Sequence, residues 1–118
     1  MEYSTLDRVK TALEHRKPDR IPFDIGGAAV TGININALRK LKSFLGMPGE
    51  AELWDRITQL AKAGDDLIDR LGIDVKNVGP QGPSFPGLAR DLGSADGYYR
   101  IIDEFGIDWQ MPEVEGHY

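Results

Sequence analysis

Asp24 is the side chain whose type and position best suit ligand chemistry in this chain. It lies in the stretch Lys17-Pro-Asp-Arg-Ile-Pro-Phe-Asp-Ile-Gly-Gly27, where apolar residues recur at every second position over Ile21–Ile25. That alternation predicts a short strand, which places Asp24 near its carboxyl end and just before two glycines. In α/β enzymes, polar residues at the carboxyl ends of parallel strands commonly face the ligand. Asp24 is therefore a candidate binding residue.

The same carboxylate has a structural interpretation. Aspartate side chains often accept hydrogen bonds from the backbone N–H groups of the turn that follows, which would make Asp24 a cap for Gly26 and Gly27. Both interpretations of Asp24 stay open. The two glycines would let a ligand approach the backbone closely, but they also suit a turn that needs backbone angles other residues avoid.

Two further candidates follow along the chain. The segment Gly26–Gly32 leads to the start of a predicted helix, where backbone N–H groups attract anions, so Thr31, Gly32 and Ile33 could hold a carboxylate or a phosphate. The segment lacks the glycine spacing of a dinucleotide fold and the lysine of a P-loop, which argues against a nucleotide. Gln81 occupies the end of the second predicted strand. The candidate substrate-binding residues are Asp24, Gly26, Gly27, Thr31, Gly32 and Gln81.

Sequence periodicity supplies the elements that would position these residues. The predicted helices are one capped by Ser4 or Thr5 and ended by Pro18, then Asn34–Leu45, Glu50–Ala63 and a last turn from Asp65 or Asp66 to Leu71. The predicted strands are Ile21–Ile25, Ile73–Val78, Tyr98–Asp103 and Ile107–Met111, the last two joined as a hairpin through Glu104–Gly106. Residues 79–87 contain three prolines and three glycines, which predicts a loop.

Charge is unevenly distributed along the chain. The net charge is −5, made of +3 in residues 1–42 and −8 in residues 43–118. The acidic whole argues against nucleic acid as a partner, and the basic first third suits either an anionic substrate or a solvated helix face. We expect that solvated face from Arg8, Lys10, Arg16 and Lys17, and one apolar stripe from Leu6, Val9, Ala12 and Leu13. Charges at the hairpin are also expected in solvent, those of Asp103, Glu104 and Asp108.

Composition narrows the class of protein further. The chain has no cysteine, so it can form neither a disulfide nor a cysteine-based zinc site. No stretch approaches the roughly 20 apolar residues of a membrane span, and the first residues lack a signal-peptide pattern. We therefore predict a cytoplasmic protein without a membrane partner. His15 is expected in solvent and His117 has no histidine near it, so no metal is predicted within this chain.

The order and spacing of several segments resemble a known superfamily. The pattern Arg8-Val9-x3-Leu13-x3-Lys17-Pro-Asp-Arg-Ile-Pro-Phe-Asp-Ile-Gly-Gly27 is similar to the opening of uroporphyrinogen decarboxylase-like proteins, which include the corrinoid-dependent methyltransferases. The resemblance continues through Thr31-Gly-Ile33, Leu71-Gly-Ile-Asp-Val75 and Asp103-Glu-Phe-Gly-Ile-Asp-Trp109. It implies an α/β fold, the N-terminal portion of one (β/α)8 barrel with leading helices and a β-hairpin near the C-terminus. A complete barrel needs roughly 200 residues or more, so residues 1–118 are expected to form a single partial domain.

Two departures bear on which branch of the superfamily the chain resembles. The porphyrinogen decarboxylases carry an aspartate near the position of Gln81 and an arginine-rich segment after the first strand. Here Gln81 has no negative charge and Asp24–Ala29 has no arginine. Both departures favour the branch that transfers methyl groups to or from corrinoids, and uroporphyrinogen-type decarboxylation is the alternative.

The resemblance also implies what this chain would lack. In the methyltransferase branch, a zinc held by one histidine and two cysteines of later strands activates the thiol acceptor. Those ligands would lie beyond Tyr118, so zinc and a corrinoid partner are expected only for a full-length relative, and this chain alone is expected to be inactive. A non-catalytic, self-associating domain is the competing class, because two parallel strands and a hairpin leave unpaired sheet edges. We therefore expect a homo-oligomer.

Overall fold

The computed structural model describes residues 3–79 and 89–114 of the chain. Within these ranges the fold is mixed helix and sheet, with three α-helices and two small antiparallel sheets. In chain order the elements are α1 (Thr5–Leu13), β1 (Ile33–Asn34), α2 (Ile35–Phe44), β2 (Leu53–Asp55), β3 (Leu60–Ala61), α3 (Asp65–Leu71), β4 (Arg90–Ala95), β5 (Tyr98–Ile102) and β6 (Asp108–Pro112). The described part forms two compact units, residues 3–54 with 60–78, and residues 55–59 with 79 and 89–114.

Three of the predicted helices are present, and the predicted start of α1 and both predicted ends of α2 are confirmed. Helix α1 ends at Leu13, before the predicted stop at Pro18, and α3 follows Gly64 without the predicted aspartate cap. The Ser4 Oγ accepts a hydrogen bond from the Asp7 N–H at 3.1 Å and caps α1. The Asn34 Oδ1 caps α2 in the same way, accepting from the Asn36 N–H at 2.9 Å. The short helix α3 ends at Gly72, whose φ of 64° lies in the left-handed region that glycine adopts without strain.

The predicted helix over Glu50–Ala63 is wrong. The chain instead forms β2, a tight turn and β3, which lies between β1 and β2 in the first sheet. Asp55 explains the difference, because its carboxylate accepts hydrogen bonds from the backbone N–H groups of Ile57 at 2.8 Å and Thr58 at 3.2 Å. A side chain that bonds its own turn competes with helix formation, and the apolar spacing of the segment did not reveal this competition.

The core of the first unit lies where α2 and α3 pack with β3. Its buried members are Ile35, Leu38, Ala61, Leu67 and Ile73. The glycine turn is tied to this core through β1, since Ile33 pairs with Ala61 and Asn34 with Leu60. The segment that carries the candidate site therefore ends in a fixed position.

The two segments predicted as the first strands run side by side without forming regular strands. The Asp74 N–H donates to the Phe23 carbonyl at 2.8 Å, and the Asn77 Nδ2 donates to the Gly27 carbonyl at 3.2 Å. The contact farther along the first segment, at Gly27, is also the one farther along the second, at Asn77, so the two segments are parallel. A side chain takes the place of a ladder bond at one point, because the Phe23 N–H donates to the Asp74 Oδ2 at 2.9 Å. The prediction of two regular strands is therefore wrong, and the extended parallel course is what the structure has.

An ion network anchors these segments to α1. The Arg8 Nη1 donates to the Asp74 Oδ1 at 2.6 Å, while its Nε and Nη2 donate to the two oxygens of Asp19 at 2.7 and 2.8 Å. On the other side of Asp74, the Arg20 Nη1 donates to its Oδ2 at 2.6 Å. The Asp74 side chain is 1% exposed, so this carboxylate is buried with its partners in place. Paired and hydrogen-bonded in this way, a buried charge is tolerated.

The burial of Arg8 corrects the expectation of a solvated helix face. Lys10, Arg16 and Lys17 are exposed as predicted, but Arg8 and Thr11 are the buried residues of α1. The predicted apolar stripe faces the other way, with Leu6 60% and Leu13 74% exposed and Val9 and Ala12 half-buried. Ion pairing with Asp19 and Asp74 therefore decides which side of α1 packs.

The ion network also sets the charge state of its carboxyl groups. Burial opposes ionisation of Asp74, but hydrogen bonds from the Phe23 N–H, Arg20 and Arg8 outweigh it and hold the pKa of Asp74 below its ordinary value. Hydrogen bonds from Arg8 lower the pKa of Asp19 from the usual 3.8 to about 2. Both groups are therefore ionised at neutral pH.

The second unit is built on a three-stranded antiparallel meander in the order β4-β5-β6. The hairpin of β5 and β6 is confirmed, with Ile102 opposite Asp108 and Tyr99 opposite Met111. Strand β4 is absent from the sequence prediction, although Asp96 and Gly97 carry the signal for it. Their φ angles of 54° and 79° suit a two-residue type I′ turn, which an Asp-Gly pair favours.

The described residues contain no parallel barrel sheet, so the barrel remains a prediction. The predicted loop 79–87 lies outside the described residues except for Gly79. Among the described helices, none combines the length and apolar character needed to cross a membrane.

We predict that Asp74→Asn lowers the free energy of unfolding by about 3 kcal/mol, because it leaves the guanidinium of Arg20 and part of Arg8 without their buried anion. Urea unfolding followed by circular dichroism measures the change. The control is Asp69→Asn, an exposed aspartate on α3, which should change stability by less than about 0.5 kcal/mol. Equal effects of the two variants would contradict a supporting role for the network.

Acid should weaken the first unit in a defined pH window. Folding lowers the pKa of Asp19 and Asp74, so their contribution to stability is complete above the ordinary aspartate pKa of about 4 and is lost as pH falls toward about 2. We expect the free energy of unfolding to fall across this window, and to fall less steeply in Asp74→Asn. Identical pH slopes for the wild-type chain and the variant would exclude Asp74 as a source of the effect.

Candidate functional site

The candidate site is the glycine turn that follows the first extended segment, residues 24–32. A 3₁₀ turn over Ala29–Thr31 closes it, with the Gly26 N–H donating to the Thr31 carbonyl at 2.9 Å. The Thr31 Oγ1 accepts from the Ala28 N–H at 3.0 Å and donates to the Ala28 carbonyl at 3.1 Å. Thr31 therefore holds the turn through both its backbone and its hydroxyl group.

Asp24 caps this turn. Its Oδ1 accepts a hydrogen bond from the Gly27 N–H at 2.8 Å, and its side chain is half-buried. This bond is the one expected if Asp24 caps the backbone N–H groups of the turn. Its predicted role in ligand binding stays a prediction, and it would have to use the second carboxylate oxygen.

Close packing at two positions and the backbone angle at a third explain why the turn contains three glycines. A Cβ atom on Gly27 would lie 2.6 Å from the Asp24 Oδ1 and 2.6 Å from the Val75 Cγ1, and one on Gly32 would lie 2.8 Å from the Leu60 Cδ1. Gly26 has a φ of 83°, which a residue with a side chain rarely adopts. Neighbouring side chains thus fill the space that Gly27 and Gly32 leave, rather than keeping it open for a ligand.

The backbone groups proposed for anion binding are already in use at two positions. The Thr31 N–H donates to the Ala28 carbonyl at 3.1 Å and the Gly32 N–H donates to the Ala29 carbonyl at 3.1 Å. An anion would have to displace both bonds to reach these groups. Thr31 and Gly32 therefore contribute to the turn, and their role as substrate-binding residues stays untested.

Asn77 is a site residue that the sequence interpretation missed. It lies three residues after Asp74 on the second extended segment, and its Nδ2 donates to the Gly27 carbonyl at 3.2 Å. Asp24 and Asn77 together hold the two polar ends of Gly27, the first its N–H and the second its C=O. The signal was present, because Asn77 is a polar residue near the end of the predicted strand Ile73–Val78. Gln81, the residue that the sequence predicts for this position, lies outside the described residues.

The carboxylates at the hairpin of the second unit are committed to structure. Asp103 is buried and accepts hydrogen bonds from the N–H groups of Phe105 at 2.9 Å and Ile107 at 2.9 Å, and from the Trp109 Nε1 at 2.7 Å. Burial opposes its ionisation, but these bonds, led by the one from Trp109, keep its pKa below the ordinary value. The expectation that Asp103 is solvated is therefore wrong, because its carboxylate is buried and binds the hairpin's own N–H groups.

Metal binding has no support in the described residues. No group of three or more histidine, aspartate or glutamate side chains in residues 3–79 and 89–114 is arranged to hold an ion. His15 is exposed, as expected, and His117 lies outside the described residues. The expectation that this chain holds no zinc stays a prediction.

Comparisons with known proteins add no relative. The chain matches no known protein family, no curated protein and no solved structure. The resemblance to uroporphyrinogen decarboxylase-like proteins therefore rests on the sequence segments that carry it.

We predict that Asp24→Ala and Asn77→Ala each lower the free energy of unfolding by about 1 kcal/mol, because each removes one hydrogen bond to Gly27. The double variant should depart from additivity by about 0.5 kcal/mol or more, since both side chains hold the same residue. Urea unfolding of the four chains measures this coupling. Asp24→Asn is the matched control, because it keeps an acceptor oxygen for the Gly27 N–H. Strict additivity would show that the two side chains act independently.

Proposed function

We propose that this chain is the opening of a uroporphyrinogen decarboxylase-like enzyme of the corrinoid-dependent methyltransferase branch, with the glycine turn at its barrel mouth. The observation that carries the proposal is the parallel course of the two extended segments, joined by the Asp74 N–H on the Phe23 carbonyl at 2.8 Å. A long crossover through α2 and α3 connects them, as parallel neighbours require. This arrangement supports a first and second strand of a barrel.

The location of the ion network supports the same proposal. Arg8, Asp19, Arg20 and Asp74 all lie in the segments that carry the family resemblance. Their side chains join the leading helix α1 to both extended segments through bonds of 2.6–2.8 Å. Residues that are far apart in the sequence thus form one network. If the spacing of these residues reflects a fold shared with the superfamily, such contacts between the matching segments are expected.

The glycine turn is where this chain would meet a small-molecule or corrinoid-type substrate. The hydrogen bond between Asn77 and Gly27 puts the carboxyl ends of the two segments at the same edge, where barrel enzymes bind their ligands. Asp24 would use one oxygen to hold the turn and offer the other to the substrate. Zinc and the corrinoid partner belong, in this proposal, to later strands of a full-length cytoplasmic relative, and residues 24–32 would line the mouth without binding the metal.

Decarboxylation of a uroporphyrinogen-type substrate has less support. The described glycine turn holds no arginine side chain that could grip the substrate carboxylates, and its charged side chain is the acid Asp24. A carboxylate at this position would repel an anionic substrate. Methyl transfer places no such demand on the turn.

Self-association is a second candidate role, supported by apolar exposure on the extended segments. Ile21 is 86% exposed and Val78 is 97% exposed, whereas Ile25 and Val75 are half-buried. Exposed apolar residues beside incompletely paired backbone favour a covering partner. In the enzyme proposal, the remaining strands of a barrel would cover the same residues.

A chimera tests the enzyme proposal. The corresponding opening of a corrinoid-dependent methyltransferase is replaced by this chain, and methyl transfer from methylcobalamin to a thiol is measured together with folding. We expect a folded chimera with measurable methyl transfer. A chimera that remains unfolded, when one carrying the opening of a second methyltransferase folds, would contradict the proposal.

Within an active chimera, Asp24→Asn separates the two roles of this carboxylate. Asparagine keeps an acceptor oxygen for the Gly27 N–H but loses the charge. If Asp24 serves the substrate, the rate should fall at least tenfold with a change in stability below about 0.5 kcal/mol. An unchanged rate would remove Asp24 from the substrate-binding residues and leave it as a cap.

A further inference from the structure

The outer edge of β6 is a candidate interaction surface in the second unit. The meander has the order β4-β5-β6, and within residues 3–79 and 89–114 strand β6 pairs with β5 alone. An edge strand presents backbone donors and acceptors to which another chain can add. This surface shares no residue with the glycine turn, and the inference does not depend on the methyltransferase proposal.

Hydrogen bonds at both ends of the hairpin fix which backbone groups of β6 turn outward. The Asp103 N–H donates to the Ile107 carbonyl at 3.0 Å, and the Glu113 N–H donates to the Gly97 carbonyl at 3.0 Å. In an antiparallel pair, residues alternate between bonding the neighbour and turning away from it. Ile107, Trp109, Met111 and Glu113 therefore bond toward β5. The residues whose backbone groups turn away are Asp108, Gln110 and Pro112.

We propose that this edge pairs with the same edge of a second copy of the chain, antiparallel and centred on Gln110. In that register Gln110 lies opposite Gln110 of the partner subunit, and each donates its N–H to the other's carbonyl. Asp108 lies opposite the partner's Pro112 and donates its N–H to that carbonyl. The result is a continuous six-stranded antiparallel sheet with a two-fold axis through the Gln110 pair.

The edge is self-complementary in its chemistry. Pro112 has no N–H, so the pairing brings no unbonded donor from it and ends there. Asp108 is already ion-paired with Arg100, whose Nε lies 3.4 Å from its Oδ1, so pairing buries no lone charge. Trp109 faces the partner's Met111 in this register, a favourable contact of sulfur with an aromatic ring.

Side-chain burial favours a copy of this chain as the occupant. Trp109 and Met111 are half-buried and share one face of the sheet with Ile101 and Tyr99, their direct partners on β5. Two-fold pairing would extend this apolar face across the axis with the same four side chains. Another extended peptide could match the backbone bonds, but it would extend the apolar face only if it carried apolar residues at the same alternate positions.

The opposite edge of the same sheet, β4, is less suited to pairing with another strand than β6 is. Strand β4 carries a bulge between Asp91 and Gly93, where Gly93 has a φ of 73°. Its Asp91 is engaged by Arg56 at 3.0 Å and by the Tyr99 hydroxyl group. A bulge interrupts the regular register that strand addition requires, and the Asp91 side chain is already held by these two partners. Strand β6 has a regular register with no bulge.

Opposite charges at position 110 test the proposal. In the two-fold register the two side chains at 110 face each other across the axis, about 5 Å apart at Cβ. Gln110→Lys and Gln110→Glu therefore each place like charges together, and we expect each to raise the dimer dissociation constant about fivefold or more. An equimolar mixture should recover the wild-type constant or a tighter one, because lysine then faces glutamate. Sedimentation equilibrium of the full 118-residue chain measures these constants.

A control and a residue-level measurement complete the test. Ser94→Lys adds the same charge to the exposed surface of β4 and should leave the dissociation constant unchanged. Hydrogen exchange should protect the amides of Asp108 and Gln110 only at high protein concentration, whereas those of Trp109 and Met111 stay protected after dilution. A monomer at millimolar concentration, a dimer insensitive to both position-110 variants, or a mixture that fails to recover the dimer would each overturn the proposal.

Discussion

The buried carboxylate of Asp74 is the interaction on which the first unit depends. Its two oxygens bind Arg8 from the leading helix and Arg20 from the first extended segment, and one of them also accepts the Phe23 N–H. With Asp74 itself, these groups come from three separate parts of the chain, α1 and the two extended segments, so one side chain fixes the distances between them. Burial of this charge is sustained only because every partner is present, which ties the position of α1 to the position of both segments.

This constraint explains why helix α1 packs against the direction of its apolar pattern. Periodicity correctly predicts that Thr5–Leu13 is helical, because the Ser4 cap and the helix formers act locally. It does not predict the buried side, because that side is set by Asp19 and Asp74, the latter 66 residues away from Arg8. The same division holds elsewhere. The capped helices and the hairpin of β5 and β6 follow from local signals. Apolar spacing wrongly predicts a helix over Glu50–Ala63, because it does not detect the hydrogen bonds of Asp55 to its own turn.

In the candidate site, too, the local contacts could be predicted from the sequence and the long-range contact could not. A cap by Asp24 could be predicted from its place just before two glycines, because the bond spans only three residues. The role of Asn77 could not be predicted from local sequence, because the carbonyl that it binds, on Gly27, lies 50 residues earlier in the chain. What brings these two residues together is the parallel course that Asp74 imposes on both extended segments. The turn is therefore shaped by its own residues, Asp24 and Thr31, whereas the ion network brings Asn77 of the second segment beside it.

The second unit reaches order by the opposite route. Asp103 is also a buried, ionised carboxylate, but its three donors lie within six residues of it. It needs no distant arginine, because two backbone N–H groups and the Trp109 indole satisfy its charge locally. Such a hairpin can form from local bonds, and among the described residues the outer sides of β4 and β6 have no strand neighbour. A bulge interrupts the register of β4, whereas β6 is regular, so strand addition is favoured at β6.

In the first unit, by contrast, the uncovered surface is apolar and includes Ile21 and Val78, and additional packing would cover it. The two units therefore differ in the partner each would favour: strand addition for the second, and a covering layer of apolar side chains for the first.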